Sequence, residues 1–494
     1  MVAITNKDRL EKKSVDYLAM IGKWVKAADI VAGEDAIRMA GETYLPRFPD
    51  ETKQEYNYRK SLAKFTNVYR DTLENLANKP FAREIELAQG TDTKKVTHPA
   101  EIEAFIENVD GSNSNISVFA SEYFYRGINF AVDFIMVDYP NLKTDGTPRS
   151  KADEAALGLR PYWTFISCIN VYEIKSKIIN GVERFTYVRV FEPANGDEPN
   201  RFRELEFDGV TASFKLWKWD GKSDYIPDGG GVITIGFIPL VPFMTGRRKG
   251  KSWQFHPPMQ DSADLQIKLY RAESNLEYVK TVAAFPMLVG KGVKPTYEGQ
   301  GADGQGGKIV RLVTGPGVVL YAPFSPSSGT AGDYTYLEPT GASLTFLAQD
   351  IKDLKQDLRE LGRQPLTVSS GNLTVITTAV AAGKAKTAVK KWAINLTDAL
   401  SIALYYTALW MGISGYEPSL SVYDGYDDLP DGDNGASLIS TLNTNGKLSD
   451  KTMYEEFQRR GTLSSEFDYD QEMLRISEQK PVNPDPENPN IGPF

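Results

Sequence analysis

Leu344, Leu347, Ile351, Leu354, Leu358 and Leu361 recur at steps of 3, 4, 3, 4 and 3 residues. This is the spacing of one narrow apolar seam on an α-helix, which turns once every 3.6 residues. Between the seam residues stand Asp350, Lys352, Asp353, Lys355, Asp357, Arg359 and Glu360, so the rest of the helix surface is charged. A seam of under about three heptads is too short for a free coiled coil and needs a helix beside it. The sequence supplies one, because Leu265, Leu269, Ala272, Leu276, Val279 and Ala283 recur at 4, 3, 4, 3 and 4. The chain is therefore expected to set a helix over Asp261–Ala284, stopped by Pro286, beside a second over Ser343–Leu361.

Between the two helices, Pro286–Gly341 holds 12 Gly and 6 Pro in 56 residues, a density of turns. "KIVRLV", "GVVLYA" and "YTYLE" within it are strand-like, so a small β-rich excursion with mobile connections is expected. A small, polar loop follows the second helix over Gln364–Thr377. A long helical pattern then runs over Ile376–Met411, roughly 50 Å at 1.5 Å per residue, with Gly383 as a kink or close-contact point. Ala399–Tyr416 is 18 residues without a charge, the lower edge of a membrane span. Ser401, Thr407, Ser414 and a Tyr pair weaken its apolarity, and its flanks, Asp398 and Glu417, are acidic. A helix buried inside an assembly is the better expectation.

Upstream, Asp50 is expected to cap a helix through Asn78, with Tyr58, Leu62, Phe65, Tyr69, Leu73 and Leu76 as its buried stripe and Pro80 as its stop. Residues 130–245 change character. "FAVDFIMVDY", "FTYVRVFE", "ASFKLWKW" and "GVITIGFIPLV" read as strands of a mixed or antiparallel sheet, with hairpin turns at Asn180-Gly181 and Asp220-Gly221. Trp217 and Trp219 are expected to pack on sheet neighbours more than to form a binding platform. Downstream, 417–435 is an acidic Asp/Gly linker. Two short helices follow, one capped by Ser449 and one starting at Ser465 with Asp468 three residues on, and the tail from Pro481 reads as extended or disordered.

The chemistry available is narrow. The 494 residues include one cysteine, Cys168, and two histidines, His98 and His256, so a disulfide and a cysteine metal cage are excluded and a His-rich metal site or a Ser-His-Asp triad has little to draw on. Neither a metal nor a cofactor is expected. "GRRKGKS", Gly246–Ser252, is one residue short of a phosphate-cradling loop and runs into "WQFHPP"; "GQGADG", Gly299–Gly304, opens no helix. The net charge is −9, and Glu417–Phe494 alone holds 16 acidic against 6 basic residues, so no overall basic footprint for tight DNA binding exists. The first residues lack the apolar core of a signal peptide, which points to a cytosolic site of synthesis. No local motif names an enzyme. A soluble enzyme built on converging carboxylates and a monomeric binding protein stand as alternatives.

In this order, the elements resemble those of the portal proteins of tailed bacteriophages. "GETYLPRFPDETKQEYNYRKSLAKFTNVYRDTLENLANKPF", Gly41–Phe81, is similar to the amino-terminal segment of one portal family. "FIPLVPFMTGRRKGKSWQFHPPMQDSADLQIKLYRAESNLEYV" resembles the portal join between wing sheet and first stem helix. The resemblance implies an α+β portal fold assembled as a dodecameric ring at one capsid vertex. It divides the chain into a wing (1–255, helical then β-rich), a first stem helix (256–285), a clip (286–341) and a second stem helix (342–363). A tunnel loop (364–377), a long wing helix (378–416), and an acidic linker, crown and tail (417–494) would follow.

Under that resemblance the protein is no enzyme, but the conduit for packaging and ejecting double-stranded DNA. Its partners would be the terminase large subunit, head-completion and adaptor proteins, and the major capsid and scaffolding proteins, with no membrane. It would be assembled in the host bacterial cytoplasm and reside in the virion. Gln364, Thr367, Ser369, Ser370, Asn372 and Thr374 would face the DNA, small polar groups that touch phosphate without gripping it. Lys384, Lys386, Lys390 and Lys391, just behind, would form a weak basic ring, or else intersubunit ion pairs or a solvated face. Leu265, Leu269, Leu276, Leu344, Leu347, Ile351, Leu354 and Leu358 would pack the stem. An acidic crown repeated around a ring repels phosphate and favours sliding.

Overall fold

The computed structural model describes residues 5–88, 90–91, 94–95, 97–140, 157–283, 287–291, 297–298, 308–309, 333–337, 342–361, 375–423, 434–459, 463 and 467–478. Helices α1 (Asn6–Leu10), α2 (Val15–Ala32), α3 (Glu34–Ala40), α4 (Lys53–Leu62), α5 (Val68–Ala77), α6 (Ala100–Ile106) and α7 (Ile116–Phe130) come first. Strands β1 (Val132–Asp138), β2 (Tyr162–Ile166), β3 (Val171–Ile179), β4 (Val182–Glu192), β5 (Arg201–Phe207), β6 (Ala212–Trp219), β7 (Tyr225–Ile233) and β8 (Leu240–Met244) follow. Helix α8 (Gln260–Ala283), strands β9 (Met287–Lys291) and β10 (Asp333–Leu337), and helices α9 (Ala342–Leu361), α10 (Val375–Met411), α11 (Asn434–Thr444), α12 (Asp450–Arg459) and α13 (Tyr469–Glu478) complete the principal elements. The fold is mixed helix and sheet, of the α+β class. It comprises two units that interleave along the chain: residues 1–77, 123–134 and 165–381, and residues 78–122, 135–164 and 382–494.

In the first unit, β3 to β7 form an antiparallel meander in the spatial order β7-β6-β5-β4-β3. Asn180 (φ 51°) and Gly181 (φ 80°) close β3 onto β4 as a two-residue turn, with Ile179 paired to Val182. Two consecutive left-handed residues match the twist of the strands, which is why Asn-Gly marks such hairpins. Asp220 closes the β6–β7 turn by accepting the N–H groups of Lys222, Ser223 and Asp224 at 2.7, 2.8 and 3.2 Å. Trp217 and Trp219 pack on Leu10, Phe202 and Tyr225, so the pair helps dock α1 on the sheet. Glu204 fixes that dock. Its carboxylate accepts from Arg9 Nη1 (2.6 Å), Tyr187 Oη (2.5 Å) and Trp217 Nε1 (2.8 Å). Burial pushes its pKa up, but these donors outweigh burial and hold the carboxyl below its usual range.

The single helix expected from Asp50 to Asn78 is instead two helices. Asp50 sits at φ 63° and does not cap. Thr52 caps α4 in a reciprocal box with Glu55: Thr52 Oγ1 accepts the Glu55 N–H at 3.2 Å, and the Glu55 carboxylate accepts the Thr52 N–H at 2.9 Å. The α4 face turned inward carries Tyr56 and Arg59, while Tyr58 is exposed. Arg59 takes a core position because its charge is fully matched there. Its guanidinium donates twice to Glu51 and once to the Pro46 carbonyl, all at 2.8 Å, and stacks 4.1 Å from the Phe48 ring. At Ala63 the backbone turns extended and ends α4. Tyr69, Leu73 and Leu76 are buried on α5, as the stripe requires.

Gly127 of α7 lets the helix lie directly on Phe243: a Cβ there would fall 2.3 Å from the ring. Just beyond α7, Asp133 is wholly buried, accepting from Arg126 Nε (2.5 Å) and the Cys168 N–H (2.8 Å). Burial raises its pKa to about 6 despite the opposing Arg126.

In the second unit, α10 buries Trp392, Leu396, Leu400, Ala403, Leu404 and Thr407 along one face. Trp163 anchors that face, donating from Nε1 to Thr407 Oγ1 at 2.8 Å and meeting the rings of Phe105 and Phe119 edge-on at 5.5 Å. The opposite face is apolar in part but uncovered: Ile394, Ile402 and Tyr405 are 51, 43 and 39% exposed. Among the described residues no helix is long and apolar enough to cross a membrane. Ser449 caps α12, as expected, accepting the Thr452 N–H at 3.2 Å. The last helix begins at Tyr469, and its cap is Asp468, not Ser465, because the Asp468 carboxylate reaches the N–H groups of both Asp470 (2.9 Å) and Gln471 (3.1 Å).

Candidate functional site

The helix pair read from the sequence exists and is built as a unit. Helices α8 and α9 pack on each other, and the chain leaves and re-enters them through the antiparallel ribbon β9–β10. Met287 pairs with Leu337 and Lys291 with Asp333, so α8 ends four residues before the ribbon and α9 begins five residues after it. Between the strands, Tyr297–Glu298 pairs with Lys308–Ile309, a second short ladder farther out. Ile351, Leu354 and Leu358 are buried and Leu344 and Leu347 half-buried, while Leu361 at the end is exposed. On α8, Leu269 and Leu276 are buried and Leu265 is half-buried.

Helix α8 buries more than its apolar seam. Gln266, Glu273 and Ser274 are also inside, because α8 packs against α2, α4 and α5 as well as α9. Gln266 serves the start of α5 from outside that helix. Its Oε1 accepts the N–H groups of Val68 and Tyr69, each at 3.0 Å, and its Nε2 donates to the Thr66 carbonyl at 2.8 Å. The first N–H groups of a helix have no partner within it, so this side chain does the work of a cap. Seven residues on, Glu273 accepts from the Thr66 N–H (3.1 Å), Thr66 Oγ1 (2.8 Å) and Lys355 Nζ of α9 (2.7 Å). One polar knot thus joins the gap between α4 and α5 to both helices of the pair. Sequence reading passed over these residues. The available signal was two polar residues one heptad apart beside the leucines of α8.

The expected DNA-facing residues Gln364, Thr367, Ser369, Ser370, Asn372 and Thr374 lie outside the described residues. Lys384 and Lys386 stand on the backbone of α10, with their side chains outside the description. Lys390 is half-buried and Lys391 exposed. The structure therefore packs the two leucine-bearing helices on each other. Helix α10 is continuous through Gly383, and at 37 residues is about 55 Å long.

Chemistry of other kinds finds little purchase. The buried carboxylates Asp133, Glu204 and Glu273 are each paired with a cation of the fold, Arg126, Arg9 and Lys355. Among the described residues, no group of three or more His, Cys, Asp or Glu is arranged to hold a metal. Gly246–Ser252 is the start and turn of a hairpin in which Arg247 pairs with His256 and Arg248 with Phe255, so it cradles no phosphate on a helix N-terminus.

Residues 258–411 match a family described as a domain of unknown function (DUF4055). That span runs from just before α8 to the end of α10. No curated protein matches the chain. Among solved structures, a chain in the neck of an empty gene transfer agent (GTA) particle computed with C6 symmetry is 12% identical, covering 86% of this chain and 98% of its own, with a TM-score of 0.40. A chain from the neck of the native GTA particle computed with C12 symmetry gives 12% identity over 85% and 98% of the two chains at a TM-score of 0.35. One from the virion of the native particle gives 12% over 87% and 99% at 0.39.

Proposed function

We propose that this chain is a portal protein of a tailed phage or phage-like particle. Copies of it close into a dodecameric ring at one capsid vertex, and double-stranded DNA passes through the centre during packaging and ejection. The observation that carries the reading is the continuous path helix, β-ribbon, helix, long helix, with α10 presenting a half-exposed row of Ile394, Ile402 and Tyr405 on the side its own unit leaves open. A ring covers such a row with the next copy, and a closed ring leaves none of these surfaces unmatched.

In this reading α8 and α9 are the stem and the ribbon β9–β10 is the base of the clip. The clip receives terminase and later the head-completion proteins. The segment Gln364–Thr377 lines the channel with small polar groups, and Lys384, Lys386, Lys390 and Lys391 stand behind it. The protein hydrolyses nothing itself, and the packaging motor supplies the energy. The polar knot at Glu273 holds the stem to the amino-terminal helices, so that axial load on the stem reaches the wing.

Negative-stain imaging and light scattering of the purified chain test this directly. A ring with a central hole is expected, and Ile402→Asp combined with Tyr405→Asp is expected to return it to single chains of unchanged helicity. Compact monomers of the unaltered protein at high concentration would overturn the reading. ATP hydrolysis by the purified ring, lost on Lys251→Ala, would overturn its non-enzymatic part. Asn372→Asp is expected to leave rings intact and to impair DNA retention in assembled particles; intact retention would remove the loop from the channel.

A further inference from the structure

The hairpin Arg247–His256 is mounted with more bonds than a surface turn needs. Strand alternation sends Arg248 inward. Its Nη1 and Nη2 reach the two oxygens of Glu183 at 2.9 and 3.0 Å, its Nε donates to the Ser252 carbonyl at 2.8 Å, and its plane lies 4.2 Å from the Trp253 ring. From the other side Asp16 of α2 accepts the Trp253 N–H and the Gln254 amide, each at 2.8 Å. Lys249 N–H closes the turn on the Gln254 carbonyl at 2.8 Å. The two carboxylates that touch the hairpin are thus both engaged in holding it.

The same alternation sends Arg247 and Lys249 outward, about 7 Å apart along the strand, and Lys251 follows in the turn. All three are exposed, and among the described residues none of their side chains makes a hydrogen bond or ion pair. Gly250 between them has φ 59°, and a Cβ there would meet nothing within 4 Å, so the backbone is open to close approach. Of the two carboxylates seen to bond the hairpin, Glu183 is neutralised by Arg248 and Asp16 is taken up by Trp253 and Gln254. On a chain whose net charge is −9, this is a local reversal of sign.

We infer that the hairpin is a contact site for the phosphate backbone of nucleic acid, without base reading. Free cations held at strand spacing on a rigid mount match a row of phosphates. A protein partner needs an apolar anchor, and 247–251 offers none; Ile178, cross-strand from Glu183, is a single exposed apolar side chain. The site lies on the hairpin between the sheet and α8, not on the loop proposed to line the channel, and it stands whether or not the chain forms a ring.

The test is anisotropy of a labelled DNA duplex titrated with the full-length protein across a salt series. The variants are Arg247→Gln/Lys249→Gln/Lys251→Gln and a charge-matched control, Lys12→Gln/Lys53→Gln/Lys64→Gln, at three exposed lysines elsewhere. Each phosphate contact contributes about 0.9 to the slope of log K against log salt. The hairpin variant is expected to weaken binding at least about 10-fold and to flatten the slope by about 2–3, equally for unrelated sequences, with an unchanged melting curve. The control is expected to move neither. Equal loss in hairpin variant and control would show a mere net-charge effect and overturn the inference. So would unchanged DNA affinity in the hairpin variant, including the case where that variant instead loses binding to a peptide of residues 417–433, which would make the site an acidic-segment dock.

Discussion

Replacing Gln266 by leucine removes three polar contacts from a site with no exposure while nearly conserving volume. The Tyr69 N–H loses its acceptor at 3.0 Å. The Val68 N–H and the Thr66 carbonyl fall back on the 3.1 Å bond that they already make to each other across two residues. One orphaned buried donor costs about 1–3 kcal/mol, and each of two weakened bonds about 0.5–1. The added apolar burial of leucine returns about 1 kcal/mol. The net loss is about 1–4 kcal/mol, felt first as fraying of the α5 amino-terminus. Hydrogen exchange at the Val68, Tyr69 and Arg70 amides should accelerate before any global change, and the urea midpoint of the first unit should fall. Gln266→Glu discriminates further. Its carboxylate keeps the two acceptor contacts but loses the donor to Thr66 and faces Glu273 one heptad away. The loss in this variant should therefore be smaller at the Val68 and Tyr69 amides than in the leucine variant. A leucine variant within about 1 kcal/mol of the parent, with unchanged exchange at Val68 and Tyr69, would refute the cap.

Asp133, raised to about 6 in the fold, binds a proton more readily folded than unfolded. Its contribution to stability is therefore fully present below the unfolded carboxyl range and is lost as pH rises through about 6, a total of roughly 3 kcal/mol for two pKa units. The difference in unfolding free energy between parent and Asp133→Asn should shift by that sense across pH 4–7 and stay flat above it. Gly127→Ala forces a methyl into Phe243 and should cost about 1–3 kcal/mol or more, read as a lowered melting temperature. Glu204→Leu strands Arg9, Tyr187 and Trp217 together and should release α1 from the sheet, seen as faster proteolysis before Lys13 and a shifted tryptophan emission.

The helix pair was legible because leucines at steps of 3 and 4 admit few other structures; the observed bounds differ from the expected ones by at most one residue. The hairpin at Asn180-Gly181 was legible because only residues tolerant of left-handed backbone fit there. The break in the Asp50–Asn78 helix was less so: α4 ends where Ala63 turns extended, and the start of α5 is shared between Asn67, which accepts the Arg70 N–H at 2.9 Å, and Gln266, some two hundred residues away, of which helical periodicity carries no trace. Tyr58, expected in the buried stripe, is exposed, and Arg59 lies inside instead, a place open to an arginine only because Glu51, Pro46 and Phe48 are assembled around it. Asp468 was mistaken for the third residue of a capping box when it is itself the cap. At the site, the leucines could be read from the pattern, while the knot of Gln266, Glu273, Lys355 and Thr66 could not, because polar residues are ordinarily assigned outward.

The ribbon between α8 and α9 makes their sliding incommensurate. Two helices exchange knobs for holes when displaced by one turn, about 5.4 Å. A two-stranded ladder returns to equivalent pairing, with every side chain on its own face, only after two residues, about 6.8 Å. No small displacement satisfies both lattices, and the pairs Met287–Leu337 to Lys291–Asp333 leave five consecutive rungs to be broken at once. A slide of one helix turn along the α8–α9 contact therefore has no counterpart in the ladder, and the two contacts favour a single common register.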